Sequence, residues 1–225
     1  ERHQRAVALC RKLDKSCAEV RGAERLYGNG RLVADDMATL GMILLWMPLL
    51  EEISFGGDEG MGDAGVQALF EGLGRGALPS LRELYLIKIQ LGPSGAEVLA
   101  AALGRGTMPL LKNLGLNESS VGSQGISALA APLKKLPALE LLDLGESEIG
   151  DEGVASLVDN LGKGDFKALK MLYLDGNEIT DVGCTKLLSA LSVGALPAIK
   201  ELYYQYDIDV EEEGAVISEH ASKEA

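Results

Sequence analysis

The chain has 225 residues, 28 of them glycine, with a formal net charge of −13. Hydrophobic residues make up 47% but aromatic ones only 4%, so the apolar material is Leu, Ala, Val and Ile, suited to many small repeated contacts. The acidity argues against nucleic-acid binding, which draws most of its affinity from basic surface. No apolar run reaches the roughly 18 residues of a membrane span: the longest, Met42 to Leu50, is interrupted by Pro48.

In chain order, residues 1–20 read as a helix with Arg5, Leu9 and Leu13 on one face. Cys10 and Cys17 lie seven apart in this pattern, roughly 10 Å along a continuous helix and too far for a disulfide within it. Cys184 falls at an apolar position further on and reads as a small core residue. Three cysteines without a pairing pattern point to a reduced, intracellular setting, the cytoplasm first; an organellar import signal ahead of Glu1 is compatible with this. With His3 and His220 as the only histidines, a His-dependent triad or multi-His metal site has no basis, and neither a metal nor another cofactor is expected.

From residue 21 one phrase recurs. Leu78-Pro79-Ser80-Leu81-Arg82-Glu83-Leu84-Tyr85-Leu86 returns as Met108 to Leu116, Leu136 to Leu144, Phe166 to Leu174 and Leu196 to Tyr204. Upstream it reads Met47 to Phe55, and a worn copy ends at Leu26. The anchors Leu26, Phe55, Leu86, Leu116, Leu144, Leu174 and Tyr204 are 28 to 31 residues apart, which establishes an internal repeat. The phrase ends in apolar residues alternating with an exposed one, as a short strand buried on one face requires.

The second half of each unit is helical. Gly65, Gly95, Gly125, Gly153 and Gly183 are each followed by leucines four and eight residues on, one helical face. Asp63, Ser123, Asp151 and Asp181 lie two residues before such a glycine and are expected to cap their own helices. Gly74, Gly104 and Gly162 are expected to close helices in the left-handed conformation. Pro48, Pro79, Pro109, Pro137 and Pro197 keep each helix from running into the next strand, and Pro132 is expected to kink its helix or end it early. The basic residues Arg75, Arg105, Lys135 and Lys163, just past helix ends, suit helix dipoles. Gly56 to Gly60 and Gly104 to Gly106 are repeat turns, since neither ends in the Gly-Lys-Ser/Thr of a phosphate loop.

Strand and helix repeated at this period stack into a solenoid with a parallel sheet inside and helices outside. The Leu-x-x-Leu-x-Leu phrases and Gly-x-x-x-Leu-x-x-x-Leu helices, over roughly residues 5–204, resemble leucine-rich repeats of the ribonuclease-inhibitor-like subclass. The resemblance implies an α/β, right-handed curved horseshoe segment. It also implies an asparagine three residues after the last core leucine, hydrogen-bonding the turn. Here that column reads Asn29, Asp58, Ile89, Ser119, Ser147, Asn177 and Asp207, and Ile89 cannot make the bond.

The expected organisation is an N-terminal helix over 1–20, about seven repeats over 21–206, and an acidic cap or tail over 207–225. Extended backwards, the frame makes residues 1–20 the helix of an earlier repeat, either a cap or the remnant of a longer array. At the other end Ser218 and Ser222 replace the helical leucines, as a solvent-facing cap would require. Residues 1–25 carry +3 and residues 207–225 carry −6, leaving −10 for the repeat body.

Side chains between and beside the core leucines of the strands should face the concave surface. The column between the two core leucines reads Arg25, Ser54, Tyr85, Gly115, Asp143, Tyr173 and Tyr203. Two residues earlier stand Ala23, Glu52, Glu83, Asn113, Leu141, Met171 and Glu201. Just after come Tyr27, Gly56, Ile87, Asn117, Gly145, Asp175 and Gln205. Tyrosines and methionine flanked by carboxylates suit a contact surface. The candidate binding residues are Glu52, Glu83, Tyr85, Asn113, Asn117, Leu141, Asp143, Met171, Tyr173, Asp175, Glu201 and Tyr203. The expected function is a non-enzymatic protein-interaction scaffold whose partner carries basic patches. Two alternatives stand beside it. One is a structural subunit of a large assembly, contacting through its helices or ends. The other, implied by the resemblance, is a GTPase-activating protein of the Ran type, for which Arg25, Asn29, Arg31 and Arg82 form no motif.

Overall fold

Each apolar phrase becomes a strand and each glycine-led leucine pair a helix. The computed structural model describes residues 2–28, 30–57, 61–204 and 206–209. Two short helices, α1 (Arg2–Lys12) and α2 (Cys17–Arg21), precede β1 (Arg25–Tyr27) and α3 (Ala34–Leu44). The alternation continues with β2 (Glu52–Gly56), α4 (Gly62–Phe70), β3 (Glu83–Ile87), α5 (Pro93–Gly104), β4 (Asn113–Gly115) and α6 (Gly122–Lys135). It closes with β5 (Leu141–Asp143), α7 (Asp151–Val158), β6 (Met171–Tyr173), α8 (Asp181–Ser192), β7 (Glu201–Tyr204) and β8 (Tyr206–Asp209).

The strands form one sheet in chain order, β1 through β7 parallel, and α3 to α8 pack in the same sequence on its other side. This is an α/β solenoid with an open, curved sheet. β8 runs antiparallel to β7, pairing Leu202 with Ile208, so residues 206–209 cover the edge that β7 would otherwise present. The acidic residues beyond 209 lie outside the described residues, as do Asn29, Asp58, Glu59 and Gln205.

Between the layers the same positions stack turn upon turn. Ile53, Leu84, Leu114, Leu142 and Leu202 are completely buried along the sheet, as are Leu69, Leu99, Leu129 and Leu187 along the helices. Each such leucine contributes about 1.5–3 kcal/mol relative to an exposed one.

A polar column holds the turns together. Ser119 Oγ donates to the Leu86 carbonyl (2.8 Å) and Ser147 Oγ to Leu116 (3.0 Å). Asn177 Nδ2 donates to Leu144 (2.8 Å) and to Leu174 (2.9 Å). The Asn177 oxygen accepts from the backbone N–H groups of Ser147 (3.0 Å) and Ile149 (2.9 Å). Each residue thus satisfies a carbonyl of the preceding repeat. Ile89, the apolar member, is fully buried. The carbonyl of Leu86 in its own turn is served by Ser119, and the backbone carbonyl of Ile89 accepts from Gly62 N (3.0 Å).

Several sequence expectations are corrected here. Asp63, Ser123 and Asp151 do not cap their own helices but reach forward to the next repeat, because α4 and α7 already begin at Gly62 and Asp151. Asp63 Oδ1 accepts from Gly92 N (2.7 Å) and Ser123 Oγ from Gly150 N (2.8 Å). Asp151 Oδ1 accepts from Thr180 N (2.8 Å) and Gly183 N (2.9 Å). This explains glycine at 183: a Cβ there would lie 2.5 Å from that carboxylate oxygen. The left-handed glycines after the helices are Gly72, just past α4, and Gly76, Gly106, Gly164 and Gly194, three of which lie two residues past 74, 104 and 162. α6 runs past Pro132 to Lys135, the full burial of Leu129 and Leu133 on either side offsetting the lost hydrogen bond and the crowding of an interior proline. Past the helix ends, Arg105 Nη2 reaches the carbonyl of Leu73 in the loop after α4 (3.5 Å), not a carbonyl of its own helix. Lys135 instead pairs with Asp165 of the next repeat.

Two corrections concern the N-terminal end. The single helix expected over 1–20 is instead two, α1 and α2: Asp14 between them takes φ +54° and Ser16 caps α2 in a reciprocal pair with Glu19. In the first repeat Leu26 pairs with Ile53, and Tyr27 with Ser54. The strand therefore sits two residues from the expected register, because β1 offers a single leucine where the other phrases offer two.

Asn177→Ala should destabilise the fold by about 3 kcal/mol, since it leaves buried N–H and C=O groups of two repeats without partners; chemical denaturation against the unmodified chain measures this.

Candidate protein-binding face

The corrected register gives a different central column on the strand face. It reads Tyr27, Ser54, Tyr85, Gly115, Asp143, Tyr173 and Tyr203, with Arg25 displaced to the flanking row beside Glu52. Parallel strands place equivalent residues side by side, so four tyrosines now share one column.

At the N-terminal end the polar groups satisfy one another. Tyr27 donates its hydroxyl to Glu52 (2.9 Å), which also faces Arg25 Nε (3.5 Å). Tyr85 donates to Glu83 (3.0 Å) and accepts from Asn113 Nδ2 (3.4 Å). Tyr85 leans over Gly115, where a Cβ would come 2.6 Å from its Cδ1, so the missing side chain provides the ring's seat. Burial first, then the Glu83 carboxylate working against the Asn113 hydrogen bond, pushes the Tyr85 phenol up to about 12. It remains a neutral donor throughout the physiological range.

The C-terminal end is built differently. The rings of Tyr173 and Tyr203 stack with centroids 4.7 Å apart and planes inclined by 5°. The Tyr173 hydroxyl points to Met171 Sδ (3.9 Å), and Leu141 lies beside Met171 in the flanking row. The Tyr173 phenol is raised, by burial first and then by Glu201. Asp143, half-buried between Gly115 and Tyr173, is also raised: burial is the main cause, opposed by the N–H of Gly145 and reinforced by Asp175. Gly145 N donates to Asp143 Oδ1 (3.1 Å). Asp143, Asp175 and Glu201 have no cationic partner among the described residues. By contrast Glu140, off this face, is clamped by Lys170 (2.6 Å) and Lys112 (3.1 Å), whose hydrogen bonds hold its carboxyl below the usual carboxylate range.

The twelve sequence candidates therefore fall into two groups. Glu52, Glu83, Tyr85 and Asn113 are tied up in their own hydrogen bonds, whereas Leu141, Asp143, Met171, Tyr173, Asp175, Glu201 and Tyr203 form a continuous apolar and acidic patch. Asn117 stands between them, with its side-chain oxygen buried and without a hydrogen-bond partner among the described residues. The sequence reading missed Tyr27 as a column member, for which a tyrosine directly after the core leucine, as at 85, 173 and 203, was the available signal.

It also missed a surface on the other side of the molecule. Met42, Leu45, Trp46 and Leu49, at the end of α3 and in the loop after it, are exposed, Trp46 to 67%. Their apolar run was legible, but its outward direction was not.

Among the described residues no group of three or more His, Cys, Asp or Glu is placed to hold a metal ion, and no described helix is long and apolar enough to cross a membrane. Strand order, the stacked leucines and the Ser/Asn column together define an α/β leucine-rich-repeat solenoid. A family model described as Leucine Rich repeat matches residues 135–158 and 169–188. No curated protein matches the chain. Similar solved structures include a TLR13–ssRNA13 complex, at 16% identity and a TM-score of 0.36 over 80% of this chain. The chain spans only 29% of the length of that protein. Another is a complex of Rad7 and Elc1 in yeast, at 15% identity and a TM-score of 0.32, covering 90% of this chain and 80% of that one.

Burial penalises the charged form of Asp143 in the folded state only, so Asp143→Asn should raise stability at pH 7, on the order of 0.5 kcal/mol. The gain should vanish below the ordinary aspartate value of 3.8, where the carboxyl is protonated in both states. Thermal denaturation of both chains across this pH range checks it.

Proposed function

We propose that the chain is a non-enzymatic protein-interaction scaffold of the ribonuclease-inhibitor-like subclass, binding a basic segment of a protein partner across the C-terminal half of its strand face. The subclass assignment draws on the repeat period and on the helix in every unit. One observation carries the binding reading: the Tyr173–Tyr203 stack beside Asp143, Asp175 and Glu201, whose carboxylates have no cation of this chain opposite them among the described residues. A lysine or arginine from outside would meet the tyrosine pair together with unneutralised charge, a combination worth more than either alone once desolvated. We place the protein inside the cell, the cytoplasm first, on the strength of its free thiols.

The reading as a Ran-type GTPase-activating protein has less support. Arg25, Arg31 and Arg82 each face a carboxylate of their own chain, Glu52, Asp14 and Glu51 respectively, and do not gather at one point. The reading as an assembly subunit is favoured by one observation, the Met42, Leu45, Trp46 and Leu49 patch on the helical side.

Cross-linked pull-down with the intact chain separates these. Tyr173→Ala and Tyr203→Ala should each weaken capture of the strand-face partner roughly tenfold, while Trp46→Ser leaves it unchanged. The reverse pattern would move the interface to the helical side. Stimulation of GTP hydrolysis by substoichiometric amounts of the chain would overturn the non-enzymatic reading.

A further inference from the structure

Cys10 and Cys17 lie close together because the helix expected over residues 1–20 breaks. Lys15 N turns back to donate to the Cys10 carbonyl (3.0 Å), Asp14 takes the left-handed conformation, and Ser16 starts α2 in a new direction. The Cys17 thiol then reaches the carbonyl of Ala6 (3.9 Å), one helical turn ahead of Cys10 on α1. Side chains on a helix lean toward its N-terminus, so the Cys10 sulfur lies over that same turn. Cys17 is thereby brought over the turn of α1 that Cys10 covers. Cys10 is 3% exposed, whereas Cys17 is open to solvent.

We propose that Cys10 and Cys17 are a redox-responsive pair that closes to a disulfide when the chain meets an oxidised low-molecular-weight disulfide. The division of labour follows from exposure. Burial, reinforced by the adjacent Cys17, pushes the Cys10 thiol up to about 11, so Cys17 is the attacking group. Cys17 gives its proton to solvent and its sulfur attacks one sulfur of the reagent, breaking the reagent's S–S bond. A mixed disulfide forms and the first reagent thiol leaves, taking up a proton. Cys10 then loses its proton to solvent and attacks the Cys17 sulfur, expelling the second reagent thiol. The two protein thiols are oxidised, and one reagent disulfide is reduced to two thiols.

The bond would tie α2 to α1, and through α1 would stiffen the first turn of the solenoid. α1 packs on α3, with Leu9 buried and Lys12 ion-paired to Asp36 (2.6 Å). Cys184, on α8 near the opposite end of the sheet, is too distant to compete within one molecule.

The intact chain is incubated with oxidised glutathione, alkylated under denaturing conditions and mapped by peptide mass spectrometry. A Cys10–Cys17 cross-link with Cys184 alkylated is the expected result, together with amide exchange in α1 and α2 slowed roughly tenfold or more. In Cys10→Ser the glutathione adduct on Cys17 should persist, because the resolving thiol is gone. Full alkylation of all three cysteines in the oxidised unmodified chain would overturn the proposal. A stable Cys17–glutathione adduct in that chain, or cross-links confined to pairs of molecules, would overturn it equally. The unmodified chain gives this answer even if Cys10→Ser folds poorly.

Discussion

The structure depends on stacking equivalent turns at a fixed offset, and the polar column enforces that offset. Apolar packing is non-directional and tolerates sliding, whereas a buried hydrogen bond to one particular carbonyl does not. Ser119, Ser147 and Asn177 each reach back to the last core leucine of the preceding strand. Asp63, Ser123 and Asp151 reach forward from helix starts to the next repeat. Links running in both directions on two sides of the leucine core hold successive strands in register. The missing link at Ile89 is bridged by its neighbour, so one apolar substitution in the column does not break the stack.

The character of the strand face follows from that register. Because every strand pairs in parallel with the same offset, any residue type recurring at one position of the phrase becomes a physical row. Tyr173 and Tyr203 stack because nothing but the inter-strand spacing separates them. Tyr85 stands between Ser54 and Gly115 in its column and lies over Gly115. Neighbouring side chains thus decide whether a tyrosine is paired with carboxylates or amides of its own face, as at 27 and 85, or stacked on another ring beside carboxylates that face no cation among the described residues, as at 173 and 203. The raised Asp143 carboxyl marks the second situation: among the described residues only the Gly145 N–H offsets its half-burial, and no cation does.

The opposite end of the molecule shows a second use of local geometry. A five-residue helix such as α2 has little stability alone. Its capping box and the return of Lys15 over the α1 terminus orient it, and they bring together two cysteines that a continuous helix would hold apart.

The repeat period, the strand phrases, the helical leucines and most of the concave columns were legible in the sequence because they are local patterns repeated many times. The α1–α2 break was not, since Leu9 and Leu13 continue the helical spacing up to the turn and the Ser16–Glu19 capping pair lies inside the stretch read as one helix. The β1 register was not, because a single leucine fits two alignments and only pairing with Ile53 chooses between them. The acceptors of Asp63, Ser123 and Asp151 were also hidden, as the same side chains suit a local cap equally well. By itself the sequence determined a stack of about seven strand–helix units and which residue types would line its inner face. Tertiary structure alone decided which of those side chains satisfy one another and which have no opposite charge beside them among the described residues, because that depends on contacts between residues about thirty positions apart.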